Sequence, residues 1–395
     1  MGRLLDLPDE LLSTIIDHIQ DDTTGTITTT LETLPFHQWG ELYERAVGQK
    51  PSQRIKNLHS LLITSRRFNR LLKPIFHRDI CVHDRFGDDR LDQLHRTLEK
   101  DPGIEEHILS AIVPCNYIFT LNVYRFFWFP NIETLSIVKF KDWEPLEFEN
   151  DSHVCTSPVK ALNLISCGAH EKALAAVLSW PAGLEVLHYD ADQGEWEGHL
   201  EDEPVNSWTC AAFVRTLQPQ QATLRELTLT RPPLEHEGLF NGPRIDLSEF
   251  TALTTLRIYH VFLCGWDDPR SAWRALPRSL EALEVFYDDT ELTQFLEEGE
   301  SEAYDPFFLA LVRHKKTHLP HLLTVSINSP EGIWDDERDG FKPGGPWMPP
   351  PSLAHEFETA GVKLDVWIGP MAGPQWERTD ISLVFERPRK RCRLL

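Results

Sequence analysis

The chain has 395 residues, of which 41% are hydrophobic and 25% charged, a composition that excludes a disordered chain and is long enough for two domains or one elongated repeat array. Its 39 Lys plus Arg face 61 Asp plus Glu, and the formal charge of -22 argues against nucleic acid and for a basic protein segment as partner. The 7 cysteines show no C-x-x-C pair, no stretch reaches the roughly 20 apolar residues of a membrane span, and "MGRLLDLPDE" lacks the order of a signal peptide, so reduced thiols and a cytoplasmic and/or nuclear location are expected.

The first element is "LPDELLSTIIDHIQ". Pro8 suits a first helical position, and Asp9 and Glu10 lie beside the positive end of the helix dipole. At 100° per residue, Leu11, Leu12, Ile15, Ile16 and Ile19 form one arc of roughly 140°, extended by Leu7, which is wider than docking on one core requires. Either the helix is wedged between two elements of its own chain or part of the arc meets another chain. After a stretch of residues 21–57 comes "LHSLLITSRRFNRLLKPIFHRDI", where Leu58, Leu61, Leu62, Ser65, Phe68 and Leu72 share one helical face, Arg66, Arg67 and Arg70 lie opposite, and Pro74 should end the helix.

An L-P-x-E-L-L-x-x-I-I helix followed by an L-x-x-L-x-x-x-S-R-R-F helix resembles the F-box, the module by which ubiquitin-ligase receptors dock on a Skp-type adaptor. The resemblance implies an adaptor-binding set of Leu7, Pro8, Leu11, Leu12, Ile15, Ile16, Leu61, Leu62, Ser65 and Phe68, with a cullin complex as the wider partner. Residues 21–57 stand where the family usually has a short loop, and they would lie beside the adaptor surface and alter docking.

Farther along, an apolar-x-x-apolar-x-apolar unit recurs as "IETLSI" from 132, "VKALNL" from 159, "LEVLHY" from 184, "LRELTL" from 224, "LTTLRI" from 253, "LEALEV" from 280 and "LLTVSI" from 322. Most intervals approach the roughly 20 to 29 residues of a leucine-rich repeat, which the pattern resembles. The expected fold is therefore α/β: an N-terminal helical F-box, 1–80 with the 21–57 insertion, then a linker helix region 81–104, an irregular leucine-rich-repeat solenoid 105–386 with parallel strands on the concave side and helices or loops outside, and a basic tail 387–395. "DPGIEEHILSAIV" from 101 reads as an earlier degenerate unit, and "KLDVWI" from 363 with "DISLVF" from 380 as a terminal cap.

The side chains between and beside the two inward residues of each strand should face the concave surface. One column is Val138, Ile165, Asp190, Thr230, Tyr259, Phe286 and Asn328; the next is Ser136, Asn163, His188, Thr228, Arg257, Glu284 and Ser326. From these columns and an acidic post-strand loop we take Asp190, Trp196, Tyr259, Glu284 and Phe286 as target-binding candidates, the alternative for Tyr259 and Phe286 being burial under long loops. Two tracts, 173–214 and 279–312, contain no Lys or Arg and many carboxylates, which suits either an acidic rim for a basic target or a solvated face.

The chain closes in "RPRKRCRLL". Cys392 with the three residues after it has the C-a-a-X form with Leu last, so the alternatives are a prenylated tail that reaches a membrane and an unmodified solvated one. No nucleotide-binding, nucleophile-elbow or zinc-protease motif occurs, so neither catalytic residues nor a cofactor is implied. His314, His318 and His321 in "HKKTHLPH" read as surface histidines rather than metal ligands, because Lys315 and Lys316 oppose a cation, and Cys155 and Cys167 read as core cysteines. The combined resemblance implies a substrate receptor of an SCF-type cullin ubiquitin ligase; the alternative is an F-box and repeat scaffold that does not deliver targets.

Overall fold

The computed structural model describes residues 62–63, 65–82, 89–115, 124–138, 140, 154–169, 171–191, 209–229, 243–265, 268–287, 306–329, 334–335, 340–341, 345–346, 349 and 351–368, together with Pro8, Asp9 and Leu12. The chain divides after Val138 into two compact units, residues 139–376 forming the second.

In the first unit, helix α1 (Arg66–Phe76) opens on Ser65, whose extended backbone (φ -153°, ψ 138°) and side-chain oxygen accept the start of the helix as an N-cap. The oxygen accepts from the Arg67 and Phe68 backbone N–H groups at 3.2 and 3.4 Å. Ser65 thus leaves the helical face that spacing assigned it, because a serine satisfies two orphan N–H groups that an apolar residue would leave bare. Pro74 also departs from expectation, since α1 runs through it to Phe76. A proline this near the C-terminus forfeits one late hydrogen bond, and burial of Phe76 with the His77 N–H donating to the Lys73 carbonyl (3.1 Å) holds the last turn.

Strand β1 (Asp79–Cys81) then pairs in parallel with β2 (Ser110–Pro114), which pairs in parallel with β3 (Thr134–Val138). The register aligns Ile80 with Ala111 and Ala111 with Leu135, all buried. The degenerate unit read from 101 is therefore a strand of this ladder, and the ladder starts earlier than 105, at Asp79. Between β1 and β2 lie helix α2 (Asp89–Lys100) and a 3-10 turn (Pro102–His107), against which α1 packs. Lys73 and Asp101 join the two at 2.6 Å.

The second unit is a parallel ladder in chain order: β4 (Ala161–Cys167), β5 (Val186–Ala191), β6 (Glu226–Leu229), β7 (Thr255–Tyr259), β8 (Ala282–Phe286) and β9 (Thr324–Ser329). Each repeat unit starting from 159 to 322 places its three apolar positions in the core, as Leu224, Leu227 and Leu229 or Leu280, Leu283 and Val285 show. Burial of each such side chain stabilises by about 1.5–3 kcal/mol, an upper range because unfolded chains are already partly compact.

Crossovers carry the outer layer: α3 (Glu171–Ser179), α4 (Cys210–Leu217), the short α5 (His260–Cys264) with a 3-10 turn (Pro269–Ala275), and α6 (Pro306–His318). Neighbouring crossovers pack on one another, α3 on α4 and α6 on the 3-10 turn. Two antiparallel dipeptides, β10 (Trp334–Asp335) and β11 (Gly340–Phe341), precede β12 (Gly345–Pro346) and α7 (Pro351–Ala360). Gly361 (φ 67°) terminates α7 in the left-handed conformation that glycine adopts without strain. "KLDVWI" then forms β13 (Lys363–Ile368) as one more parallel rung beside β9, and β12 pairs antiparallel with its other edge. "DISLVF" and the basic tail lie outside the described residues. Among the described residues no helix is long and apolar enough to cross a membrane.

Candidate functional site

Two places collect the residues singled out by the sequence. The first is the meeting of Asp9 and Leu12 with α1. Leu12 is buried in one cluster with Phe68 and Leu72, and Leu62, Leu71 and Ile75 pack against it. The ion pairs join the same segments: Asp9 accepts from Arg67 at 2.6 Å and from Arg70 at 2.5 Å. The Arg67 hydrogen bond is the first of several attractions that hold the Asp9 carboxyl below its ordinary range. Two motifs separated by residues 21–57 are thereby fastened on both an apolar and a charged side. Leu12 and Phe68 are consumed by that internal core. Pro8 is exposed, and Ile63, the residue after Leu62 and outside the sequence-derived set, is 69% exposed. Leu7, Leu11, Ile15, Ile16 and Leu61 lie outside the described residues, as does the 21–57 insertion.

The second place is the face of the ladder opposite the leucine rungs. From Asn163 onward the predicted polar column is in register: Asn163 pairs with His188, His188 with Thr228, Thr228 with Arg257, Arg257 with Glu284, and Glu284 with Ser326, to which β13 adds Asp365; Ser136 is buried on β3 of the first unit. Its character changes along the ladder. Asn163, His188 and Thr228 are buried, whereas the Arg257 and Glu284 side chains keep 24% and 29% of their surface, Ser326 is half-buried and Asp365 exposed.

At the open end the Glu284 carboxylate is held by Arg257, at 3.2 Å from Nε, and by a hydrogen bond donated from the Asn328 amide. Burial pushes the Glu284 carboxyl up, and Arg257 and Asn328 act against that shift. Burial likewise depresses His188, with help from the charge of Arg257, to about 3, so this histidine is neutral at any physiological pH. A neutral, buried imidazole thus lies two rungs from a guanidinium that is itself paired to a carboxylate, so the charges of the column are confined to its more open end.

Tyr259 and Phe286 are register neighbours with ring centroids 5.6 Å apart, but both are buried. Their rings are therefore not an open contact patch among the described residues. Asp190 is half-buried at the end of β5, and Trp196 and Cys392 lie outside the described residues, as do most of the acidic loops.

No disulfide joins Cys115, Cys155, Cys167, Cys210 and Cys264. Cys155, expected in the core, is exposed, on a turn where its φ is 56°, while Cys167 is buried. Burial pushes the Cys210 thiol up to about 11, which leaves it protonated and a poor nucleophile. Among the described residues no group of three His, Cys, Asp or Glu side chains is arranged to hold a metal ion.

Gln220, which no sequence motif singles out, ends the 3-10 turn Gln218–Gln220 after α4, is buried and makes a four-way staple. Its amide donates to the carbonyls of Leu178 (2.8 Å) and Pro181 (3.0 Å), while its oxygen accepts from the Leu184 N–H (2.9 Å) and the Thr223 hydroxyl (3.1 Å). One side chain thus ties two successive crossovers and fixes the strands whose side chains form the polar column. The only signal available in the sequence was a glutamine just ahead of a leucine rung.

Comparisons with family models, with curated proteins and with solved structures found no match to this chain.

Proposed function

We propose that this chain is a substrate-recognition subunit of an SCF-type cullin ubiquitin ligase, its N-terminal helical pair docking on a Skp-type adaptor and its repeat ladder holding a protein target. The observation that carries the reading is the meeting of the two F-box-like motifs. Leu12 shares a core with Phe68 and Leu72, Asp9 bridges Arg67 and Arg70, and Pro8 and Ile63 are left bare. Pro8 and Ile63, exposed beside that internal core, are the positions at which an adaptor would meet the pair. The ladder supports the other half of the reading, because a long parallel array offers a continuous face on which a target can lie. In this role the chain performs no bond chemistry. It acts by tethering, which raises the concentration of target near a conjugating enzyme to about the millimolar range.

The test uses the full chain co-expressed with a Skp-type adaptor. Wild type is expected to co-purify with the adaptor, and Pro8→Glu/Ile63→Glu to lose it while keeping an unchanged circular dichroism spectrum. Exposed positions are chosen because Leu12 and Phe68 are structural, and their loss would confuse docking with folding. Failure of wild type to capture the adaptor, or equal capture by the variant, defeats the reading.

A further inference from the structure

The formal charge of -22 conceals one strongly basic outer face. The 3-10 turn Pro269–Ala275 and its continuation to Ser279 carry Arg270, Arg274 and Arg278, and α6 with the following turn carries Arg313, Lys315, Lys316, His314, His318 and His321. Neither 269–280 nor 306–322 contains an Asp or Glu. The two elements pack directly on each other, so Arg274 of the turn and His314 and His318 of α6, separated in sequence by the acidic tract, meet around Trp273, with the other exposed cations on the same two elements. Arg270, Arg274, Arg278, Arg313, His314, Lys316, His318 and His321 are exposed.

The cluster is also built rather than loose. Trp273 is buried, the His314 ring stacks on it at 4.0 Å with 17° between planes, and His318 meets it edge-on at 4.3 Å. The Arg274 guanidinium lies 5.3 Å from the same ring centroid. One indole therefore holds three of the basic side chains. His314 and His318 are four residues apart on α6, the spacing that places both on the face meeting the turn.

Stability does not explain this arrangement. Basic residues in the last turn of α6 gain from the helix dipole, but that accounts for Lys315, Lys316 and His318 alone. Bringing three arginines of the neighbouring turn alongside them adds repulsion. Among the described residues two carboxylates come close: Asp268 caps the 3-10 turn by accepting from the Arg270 N–H, and Glu356 on α7 meets Arg313 at 3.6 Å.

We propose that this face is a docking surface for a short acidic peptide segment of a partner protein. The size of the partner follows from the surrounding charge. At physiological ionic strength charges act over about 8 Å, so the patch attracts what lies on it, while the acidic residues beyond it repel whatever extends past its edge. Glu281 follows the turn, and Glu356 on α7 borders α6 at Arg313. A nucleic acid duplex or an anionic bilayer continues past those borders; a peptide of a few carboxylates ends within them. The proposal is independent of adaptor docking, since it involves none of the N-terminal residues.

The test is fluorescence anisotropy of a labelled polyglutamate octapeptide titrated with the full chain, with a polyglutamine octapeptide, a short DNA duplex and phosphatidylserine vesicles as parallel probes. The expected result is saturable binding of polyglutamate, lost at high salt, no binding of polyglutamine, and affinity falling about tenfold or more in Arg274→Glu/Lys315→Glu/Lys316→Glu. Unchanged thermal unfolding of that variant separates lost docking from lost folding, and Arg274→Gln/Lys315→Gln/Lys316→Gln, which removes charge without reversing it, should show an intermediate loss. Absence of polyglutamate binding, binding that the charge-reversed variant retains, or tighter capture of the duplex or the vesicles overturns the proposal.

Discussion

His188 makes the polar column testable through acid. It is buried on β5, and its depressed value of about 3 compares with 6.5 for an ordinary histidine. Between those two values the unfolded chain binds a proton that the folded chain refuses, so stability is full above 6.5 and is lost as pH falls toward 3. For this site alone, lowering the pH from 7 to 5 removes about 2 kcal/mol, at 1.36 kcal/mol per unit once the free imidazole is mostly protonated. Glu284 acts with the opposite sign: its value is raised, so the folded state holds a proton longer and gains stability as pH falls into that range. The chain has 17 histidines, and the site is therefore isolated by difference. Urea unfolding and hydrogen-exchange protection of β5 are measured at pH 7 and 5 for wild type and His188→Gln. The wild type should lose about 2 kcal/mol more than the variant over this interval. Parallel pH dependences, or an imidazole resonance of His188 that titrates near 6.5, would refute the reasoning.

The remaining predictions concern the staple, the N-terminal core and the open end of the column. Gln220→Ala strands two backbone carbonyls and one N–H in a buried place and should destabilise the second unit by about 3 kcal/mol in urea, more than the 0.5–1.5 kcal/mol of one ordinary hydrogen bond. Phe68→Ala should cost the N-terminal cluster about 3–5 kcal/mol and expose α1 to rapid hydrogen exchange, with little effect on the amides of β7 to β9. Glu284→Ala leaves the Arg257 charge and the Asn328 amide without their shared acceptor, and should cost about 1–3 kcal/mol in thermal unfolding; Glu284→Gln, which keeps an acceptor, should cost less.

The ladder was legible because its signal is redundant. Each rung repeats the same three apolar positions, and the repeat phase alone places Asn163, His188, Thr228, Arg257, Glu284 and Ser326 in the column that the strand register forms. Single residues acting through their backbone were not legible. Ser65 occurs at helical spacing and yet caps, since spacing records where a side chain would point and is blind to which N–H groups lack partners. Pro74 looks like a terminus, but the two residues beyond it are retained by burial, a tertiary effect. β1 escaped because "DIC" is too short to display a repeat and owes its existence to β2. The basic face was hidden for another reason: its cations belong to two segments on either side of an acidic tract, so every sequence window wide enough to include both averages to acidic.

Periodicity assigns a residue to a face but not to an interior or a surface, and the polar column shows the difference. The same face is closed at His188 and Thr228 and open at Glu284 and Asp365. A closed polar row must be satisfied internally and contributes rigidity, whereas an open one retains hydrogen-bonding capacity for something else. Arg257 stands at the transition, close enough to bias His188 toward neutrality and bonded to Glu284 on its other side. The buried end thus fixes the position of a charge that the open end presents. On the proposed receptor reading, contact with a target is for that reason expected on β7, β8, β9 and β13, where preorganised groups remain accessible, and not on β4 to β6, where the equivalent positions are already part of the core.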